Sequence, residues 1–151
     1  MAETKILLVE DDEILAKVLY EELTDAGYGV KQAFDGEIGL ALAKSEKPNL
    51  ILLDILLPKK NGFDVLTELK KSPATRSVPV IILTNLGSDE DLKKGLQLGA
   101  DDYIVKSQHA VGEIVEKVQG FFSVESHPAA KASAPSKPKK VKDGPEKPPP
   151  A

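Results

Sequence analysis

Two hydrophobic rhythms alternate along most of the chain. Lys5 to Val9, Gly29 to Ala33, Leu50 to Leu53, Val80 to Leu83 and Tyr103 to Val105 are short runs with the composition of strands, and the third and fourth are continuously apolar, as strands buried on both faces are. Between them apolar residues recur at three- and four-residue spacing. Glu13 to Asp25 carries Ile14, Leu15, Val18, Leu19 and Leu23 as one stripe, and Ala110 to Phe122 carries Val111, Ile114, Val115, Val118, Phe121 and Phe122. Gly36 to Lys44, Gly62 to Lys71 and Ser88 to Leu98 are the remaining helices, the last opened by a Ser88-x-x-Asp91 capping signal.

Strict alternation of five strands and five helices predicts an α/β domain: a five-stranded parallel sheet covered by helices on both faces and joined by right-handed crossovers. Ligands of such sheets bind beyond the carboxyl ends of the strands. The polar residues that follow the strands therefore matter most.

Those residues form a chemically coherent set. Asp54 is the only charge in the run Leu50 to Leu57, and an ionised carboxylate inside an apolar run is heavily penalised unless it ends its element or has a partner. Glu10, Asp11 and Asp12 follow the first strand, Thr84 the fourth and Lys106 the fifth. Several carboxylates in one crevice repel one another unless a cation compensates them. A few hard oxygen ligands with room for water and phosphate suit Mg²⁺. A lysine offers a compact positive charge to a phosphoryl oxygen and a threonine offers a hydroxyl. An aspartate beside such a cation and lysine is a nucleophile suited to forming an acyl phosphate, so the set predicts phosphoryl transfer.

In order along the chain, LLVEDD, ILLDILLPKKNGFDVL, VIILTN and GADDYIVK resemble the receiver domain of bacterial two-component response regulators, over roughly Lys5 to Phe122. The resemblance implies a (βα)5 flavodoxin-like receiver fold with strand order 2-1-3-4-5. It implies Asp54 as phosphoacceptor, charged by a histidine kinase or a phosphotransfer protein in a phosphorelay. It implies Mg²⁺ held by Glu10, Asp11, Asp54 and the carbonyl of Leu56, which leaves Asp12 to cap the first helix. Lys106 then holds the phosphoryl oxygen, and Thr84 with Tyr103 forms a switch pair that alters the surface of the fourth helix, fifth strand and fifth helix for a downstream protein target.

Two positions depart from the family's pattern. Ser107 follows Lys106 where relatives carry proline, often through a cis bond; for a non-proline residue that geometry costs about 2.5 to 4 kcal/mol, so a strained peptide or a shifted loop is expected. Asn85 follows Thr84 where alanine or glycine is usual, and its amide is expected to alter phosphotransfer or hydrolysis rates.

Composition sets the boundaries. From Val124 the chain holds seven of the eleven prolines, six lysines and three acids, and such a segment cannot offset its own ordering entropy. The expected organisation is a receiver over residues 1–123 and a disordered basic tail over residues 124–151. The tail carries +3 and the chain −4, leaving about −7 on the domain. The tail is expected to be a solvated spacer able to bind anionic surfaces weakly. Cysteine is absent, and His109 and His127 form no metal-spaced pair. No apolar run reaches the ~20 residues of a membrane span and no secretory leader begins the chain, so a cytoplasmic protein is expected.

The sequence therefore reads as a single-domain response regulator of a phosphorelay, a phosphoacceptor signalling protein and not an enzyme, with no DNA-binding domain. A pseudo-receiver, a phosphorylation-independent interaction module, is the alternative. A phosphatase of the haloacid dehalogenase type needs a second aspartate where Leu56 stands. A flavin reading lacks a phosphate loop after the first strand, where acids would repel phosphate, and no GxxxxGK[ST] loop occurs.

Overall fold

The computed structural model describes residues 3–125. Five strands, β1 (Lys5–Val9), β2 (Gly29–Ala33), β3 (Leu50–Leu53), β4 (Val80–Thr84) and β5 (Asp102–Val105), alternate with helices α1 (Glu13–Asp25), α2 (Gly36–Glu46), α3 (Gly62–Lys71), α4 (Asp89–Gln97) and α5 (Val111–Glu125). All pairings are parallel and the sheet order is β2-β1-β3-β4-β5. The expected fold is therefore the one observed. The differences lie at element ends: β4 takes in Thr84, β5 starts at Asp102, and α2 runs two residues past Lys44. α5 includes Val124 and Glu125, while residues 126–151, where the sequence suggests a solvated basic spacer, lie outside the described residues.

Backbone proximity separates a unit ending at Val115 from the residues that follow. The first unit holds the sheet, α1 to α4 and the opening of α5. From Glu116 onward α5 continues as helix, where the Phe121 and Phe122 rings meet edge-on at 5.8 Å.

Alternation along the strands divides the core into two layers. Leu7, Val9, Ile51, Leu53, Val80, Ile82 and Tyr103 join Ala43 of α2 and Phe63, Val65, Leu66 and Leu69 of α3 in one buried cluster. The alternate set, Ile6, Leu8, Leu50, Leu52, Ile81, Leu83 and Ile104, is buried on the other face, as are Ala16, Leu19 and Leu23 of α1 and Ile114 and Val115 of α5. Double-sided burial explains why β3 and β4 carry no polar residue before their ends.

The helix starts follow their side chains. Asp12, Asp35, Asn61 and Ser88 cap α1 to α4 by accepting from backbone amides two or three residues ahead. The Ser88–Asp91 signal is realised reciprocally, the Asp91 amide donating to Ser88 Oγ at 3.1 Å and the Ser88 hydroxyl to Asp91 Oδ2 at 2.8 Å.

The expected stripe of α1 needs correction. Leu19 and Leu23 are buried, but Ile14 is 79% exposed and Val18 36%, and Ala16 takes the place beside them. At 3.6 residues per turn Ile14 and Val18 fall on the side of the helix away from Ala16 and Leu23, so apolar character at four-residue spacing described a second, outward face. Leu19→Ala is expected to cost about 2 to 5 kcal/mol of unfolding free energy, whereas Ile14→Ala stays within about 0.5 kcal/mol. Urea denaturation of both variants checks this, and equal losses would restore the original stripe.

Candidate functional site

The parallel register builds the site before any side chain is considered. Val9 pairs with Leu53, and the ladder continues one residue further through the amide of Asp54, which donates to the Val9 carbonyl at 3.0 Å. Glu10 and Asp54 are therefore neighbours at the carboxyl edge. The Glu10 amide donates to the Ala33 carbonyl at 3.0 Å, which fixes the turn into α1.

Oxygens of Glu10, Asp11 and Asp54 come within 4.8 Å of one another. Glu10 and Asp54 are buried, 1% and 4% exposed, and Asp11 faces solvent. Lys106 bridges the buried pair, its Nζ donating to Glu10 Oε1 at 2.7 Å and to Asp54 Oδ2 at 2.9 Å. β5 lies two strands from β3, about 10 Å at ordinary spacing, so a long flexible cation suits the reach. The other oxygens are also fixed. Asp54 Oδ1 accepts from the amides of Ile55 at 2.6 Å and Leu56 at 3.3 Å, and Glu10 Oε2 accepts from the Asp12 amide at 3.0 Å.

Protonation follows from this burial. Glu10 is raised from 4.5 to about 7, by burial first; the bonds from Lys106 and the Asp12 amide pull it back, and the Asp54 charge pushes it up again. Burial disfavours the Lys106 ammonium, but its bonds to Glu10 and Asp54 outweigh that and its pKa is raised. The lysine remains a cation between two acids.

Thr84 is fully buried at the end of β4, with the Leu86 amide 3.5 Å from its hydroxyl oxygen, and Asn85 beside it is exposed. Tyr103 is buried, and its hydroxyl donates to the Leu86 carbonyl at 2.5 Å. Its pKa is pushed up to about 12 by burial and then by the charges of Asp91 and Asp54. The expected disturbance at Lys106-Ser107 resolves without a cis bond, since none occurs among the described residues. Residues Lys106–Gln108 instead form a 3-10 turn, in which no proline is required, and Lys106 still reaches Asp54.

The loop from Asp54 to α3 is braced in a way the strand-end reading missed. The Gly62 amide donates to the Ile55 carbonyl at 2.8 Å, the Gly36 amide to the Pro58 carbonyl at 3.1 Å, and Lys60 pairs with Glu68. A Cβ at Gly62 would stand 2.2 Å from the Asp54 carbonyl oxygen, so only glycine allows this approach. The Asn61-Gly62 dipeptide was the available signal. Leu56, the expected carbonyl ligand, lies in this loop with its side chain 57% exposed.

The donor set fits a hard divalent cation: three carboxylates within reach of one point, two of them buried, in a crevice that leaves Glu10 reluctant to ionise without added positive charge. Glu10, Asp11 and Asp54 are the residues that would hold it.

A five-stranded parallel sheet with an acidic pocket, a buried aspartate and a lysine at its carboxyl edge has the architecture of a receiver of the kind used in two-component signalling. Residues 6–119 match the response regulator receiver domain, and the chain belongs to that family. Receiver domains of this family bind Mg²⁺ at such an acidic pocket and interact with histidine kinases. The chain is 43% identical over 118 residues to the DNA-binding dual master transcriptional regulator RpaA of Synechocystis, covering 78% of this chain and 48% of that protein. It is 50% identical over 102 residues to the transcriptional regulatory protein CpxR of Klebsiella pneumoniae, covering 68% of this chain and 42% of that one. The chain thus spans less than half the length of these relatives. Among solved structures, a CheY-like receiver domain protein of Methanospirillum hungatei superposes with a TM-score of 0.74 at 30% identity, covering 81% of this chain and 95% of that one. The Mn²⁺-bound form of response regulator Rcp1 superposes with a TM-score of 0.66 at 31% identity, covering 80% and 92%. Among the described residues no helix is long and apolar enough to cross a membrane.

The raised Glu10 pKa carries a sign that can be measured. Between 4.5 and about 7 the unfolded chain has released the proton that folded Glu10 keeps, so this group makes stability fall as pH rises across that window. In metal-free buffer, Glu10→Gln is expected to flatten this part of the profile of urea midpoint against pH. Parallel profiles for the two proteins would show that folding does not raise the Glu10 pKa.

Proposed function

We propose that this chain accepts a phosphoryl group on Asp54 and that the modification alters the α4-β5-α5 surface through which it signals. The observation that carries this reading is the Lys106 ammonium held between Glu10 and Asp54 at 2.7 and 2.9 Å, at the buried end of a site that opens to solvent at Asp11. Phosphorylation-dependent signalling is the family's function.

In the reaction an Asp54 oxygen attacks the phosphorus of the donor. A P–N bond breaks when the donor is a phosphohistidine of a kinase or phosphotransfer protein, and a P–O bond when it is a small acyl phosphate. The electron pair leaves with the imidazole or the carboxylate. The amides of Ile55 and Leu56 fix the orientation of the Asp54 carboxylate beforehand. Lys106 then exchanges its bond with Asp54 for one with a phosphoryl oxygen, placing its charge where negative charge accumulates. Mg²⁺, when held by Glu10, Asp11, Asp54 and the Leu56 carbonyl, supplies charge neutralisation. The Mn²⁺-bound form of the structurally similar response regulator Rcp1 supports a divalent ion here.

The Thr84 hydroxyl bonds another phosphoryl oxygen, and Tyr103 carries the resulting movement to the surface. The chain acts as a phosphoacceptor, its only reactions being its own phosphorylation and dephosphorylation. Its donor is a histidine kinase or phosphotransfer protein, its site of action the cytoplasm, and its target a protein engaged through the α4-β5-α5 face.

Intact mass after incubation with Mg²⁺ and acetyl phosphate tests the reading. The protein is expected to gain one phosphoryl group, Asp54→Asn none, and Lys106→Ala far less in the same time. No gain in the unaltered protein sinks the proposal and leaves the phosphorylation-independent module in its place. Asn85→Ala is expected to change the lifetime of the phosphorylated form, followed by the same measurement after donor removal; an unchanged lifetime would remove Asn85 from the kinetics.

A further inference from the structure

The seat of the Tyr103 ring lies in an element that the chemistry does not involve. Gly95 lies in the last turn of α4, two residues before its final residue Gln97, at a place where alanine favours a helix more than glycine does. A helix glycine that is not itself the C-cap often answers to packing. Here the reason is visible: a Cβ built at Gly95 would stand 2.6 Å from Ile82 Cδ1 and 3.1 Å from both Cδ2 and Cε2 of Tyr103. α4 thus approaches β4 and β5 so closely that a side chain here would overlap the Ile82 methyl and press on the edge of the tyrosine ring.

One further contact holds the ring itself, and two others bring the neighbouring segments close. The Tyr103 hydroxyl donates to the Leu86 carbonyl at 2.5 Å, tying the ring to the loop that follows Thr84. In the same loop a Cβ at Gly87 would stand 3.3 Å from Val105 Cγ1, so this loop also lies close against β5. Lys94, next to Gly95, places its Nζ 4.5 Å from the centre of the Phe63 ring at the start of α3. The ring is thereby held by α4 on one side and by the Thr84 loop at its tip.

We infer that Gly95 is a positioning residue for the switch: the absence of a side chain at this one place in α4 allows Tyr103 to lie inward and bond the Leu86 carbonyl. Side-chain volume at position 95 then sets the balance between a ring-in and a ring-out arrangement of the α4-β5 surface, independently of the phosphorylation chemistry at Asp54. The inference rests on the proposed switch role of Tyr103 only for its signalling consequence. The seating itself stands on the packing. Ile82 Cδ1 is the end of a flexible side chain and can turn aside, whereas the ring is tied at its tip to the Leu86 carbonyl and takes up added volume at position 95 by moving away from α4.

The test uses the full chain labelled with 3-fluorotyrosine, which gives three fluorine signals, from Tyr20, Tyr28 and Tyr103; Tyr103→Phe assigns the third. In Gly95→Ala and Gly95→Leu the Tyr103 signal is expected to move and to acquire the larger H₂O/D₂O solvent shift of an exposed ring, while far-UV circular dichroism stays that of the folded protein. Phosphorylation of Asp54 by acetyl phosphate, read by mass, is expected to proceed in Gly95→Ala, but without the displacement of the Tyr103 signal that accompanies it in the unaltered protein. An unmoved Tyr103 signal in both folded variants would overturn the inference. If Gly95→Leu does not fold, Gly95→Ala alone decides, because alanine favours the helix. A moved signal in the unphosphorylated variants, together with no response to phosphorylation in the unaltered protein, would confirm the seat and reject the switch reading, so the two failures are distinguishable.

Discussion

Two carboxylates are forced together because the strands that precede them are in register. Val9 lies opposite Leu53, both are buried, and a slip of one residue would turn every side chain of β3 to the wrong face. The hydrophobic core therefore fixes Glu10 beside Asp54 with a precision that the polar groups themselves could not supply. Left alone, the two acids would repel one another in a poorly solvated crevice. Lys106 relieves the repulsion, and the backbone amides of Asp12, Ile55 and Leu56 complete the remaining oxygens. Fold and site share this one constraint, because the packing that stabilises the sheet also concentrates charge around Asp54.

Much of this could be seen in the sequence because burial on both faces removes polar residues from a strand until it ends. The first charge after an apolar run then marks the carboxyl edge, which is how Asp54 and Glu10 were placed. The strand-end rule also located Thr84 and Lys106, although it could not show that Lys106 would contact Glu10 as well as Asp54. The helix caps were legible for a similar reason: Ser88 and Asp12 act on backbone groups only a few residues away. What local pattern could not resolve was the choice between two faces. Ile14 and Val18 have the spacing of a core stripe and yet point outward, because the direction of a helix face is decided by the sheet it packs on. The role of Gly95 depends on how closely α4 approaches β5, a distance that no spacing in the chain encodes.

Ser107 illustrates how a departure in sequence can leave a site intact. The family resemblance led to an expectation of proline after the lysine, and its absence suggested a loop under strain or out of place. The chain instead continues into a short 3-10 turn with all peptides trans, and the lysine reaches the acids from there. The demand on this loop is only that it deliver an ammonium group to one point. A flexible side chain of four methylenes meets that demand from more than one backbone path.

Asp54 and the α4-β5 surface are joined by a short chain of groups with little freedom. Asp54 and Thr84 both end buried strands, the Leu86 amide and carbonyl connect to the Thr84 and Tyr103 hydroxyls respectively, and Tyr103 rests against Gly95. A well-packed region of this kind does not deform continuously, so a small displacement at Thr84 must be either absorbed or passed on as a discrete change of the ring. The long 3.5 Å approach of the Leu86 amide to the Thr84 hydroxyl oxygen is the weakest connection in that chain, and it leaves the hydroxyl proton free of that contact. The stronger bond, from Tyr103 to the Leu86 carbonyl, holds the far end until the loop itself moves. Under the proposed switch, this order of strengths has the hydroxyl of Thr84 respond first and the ring of Tyr103 last.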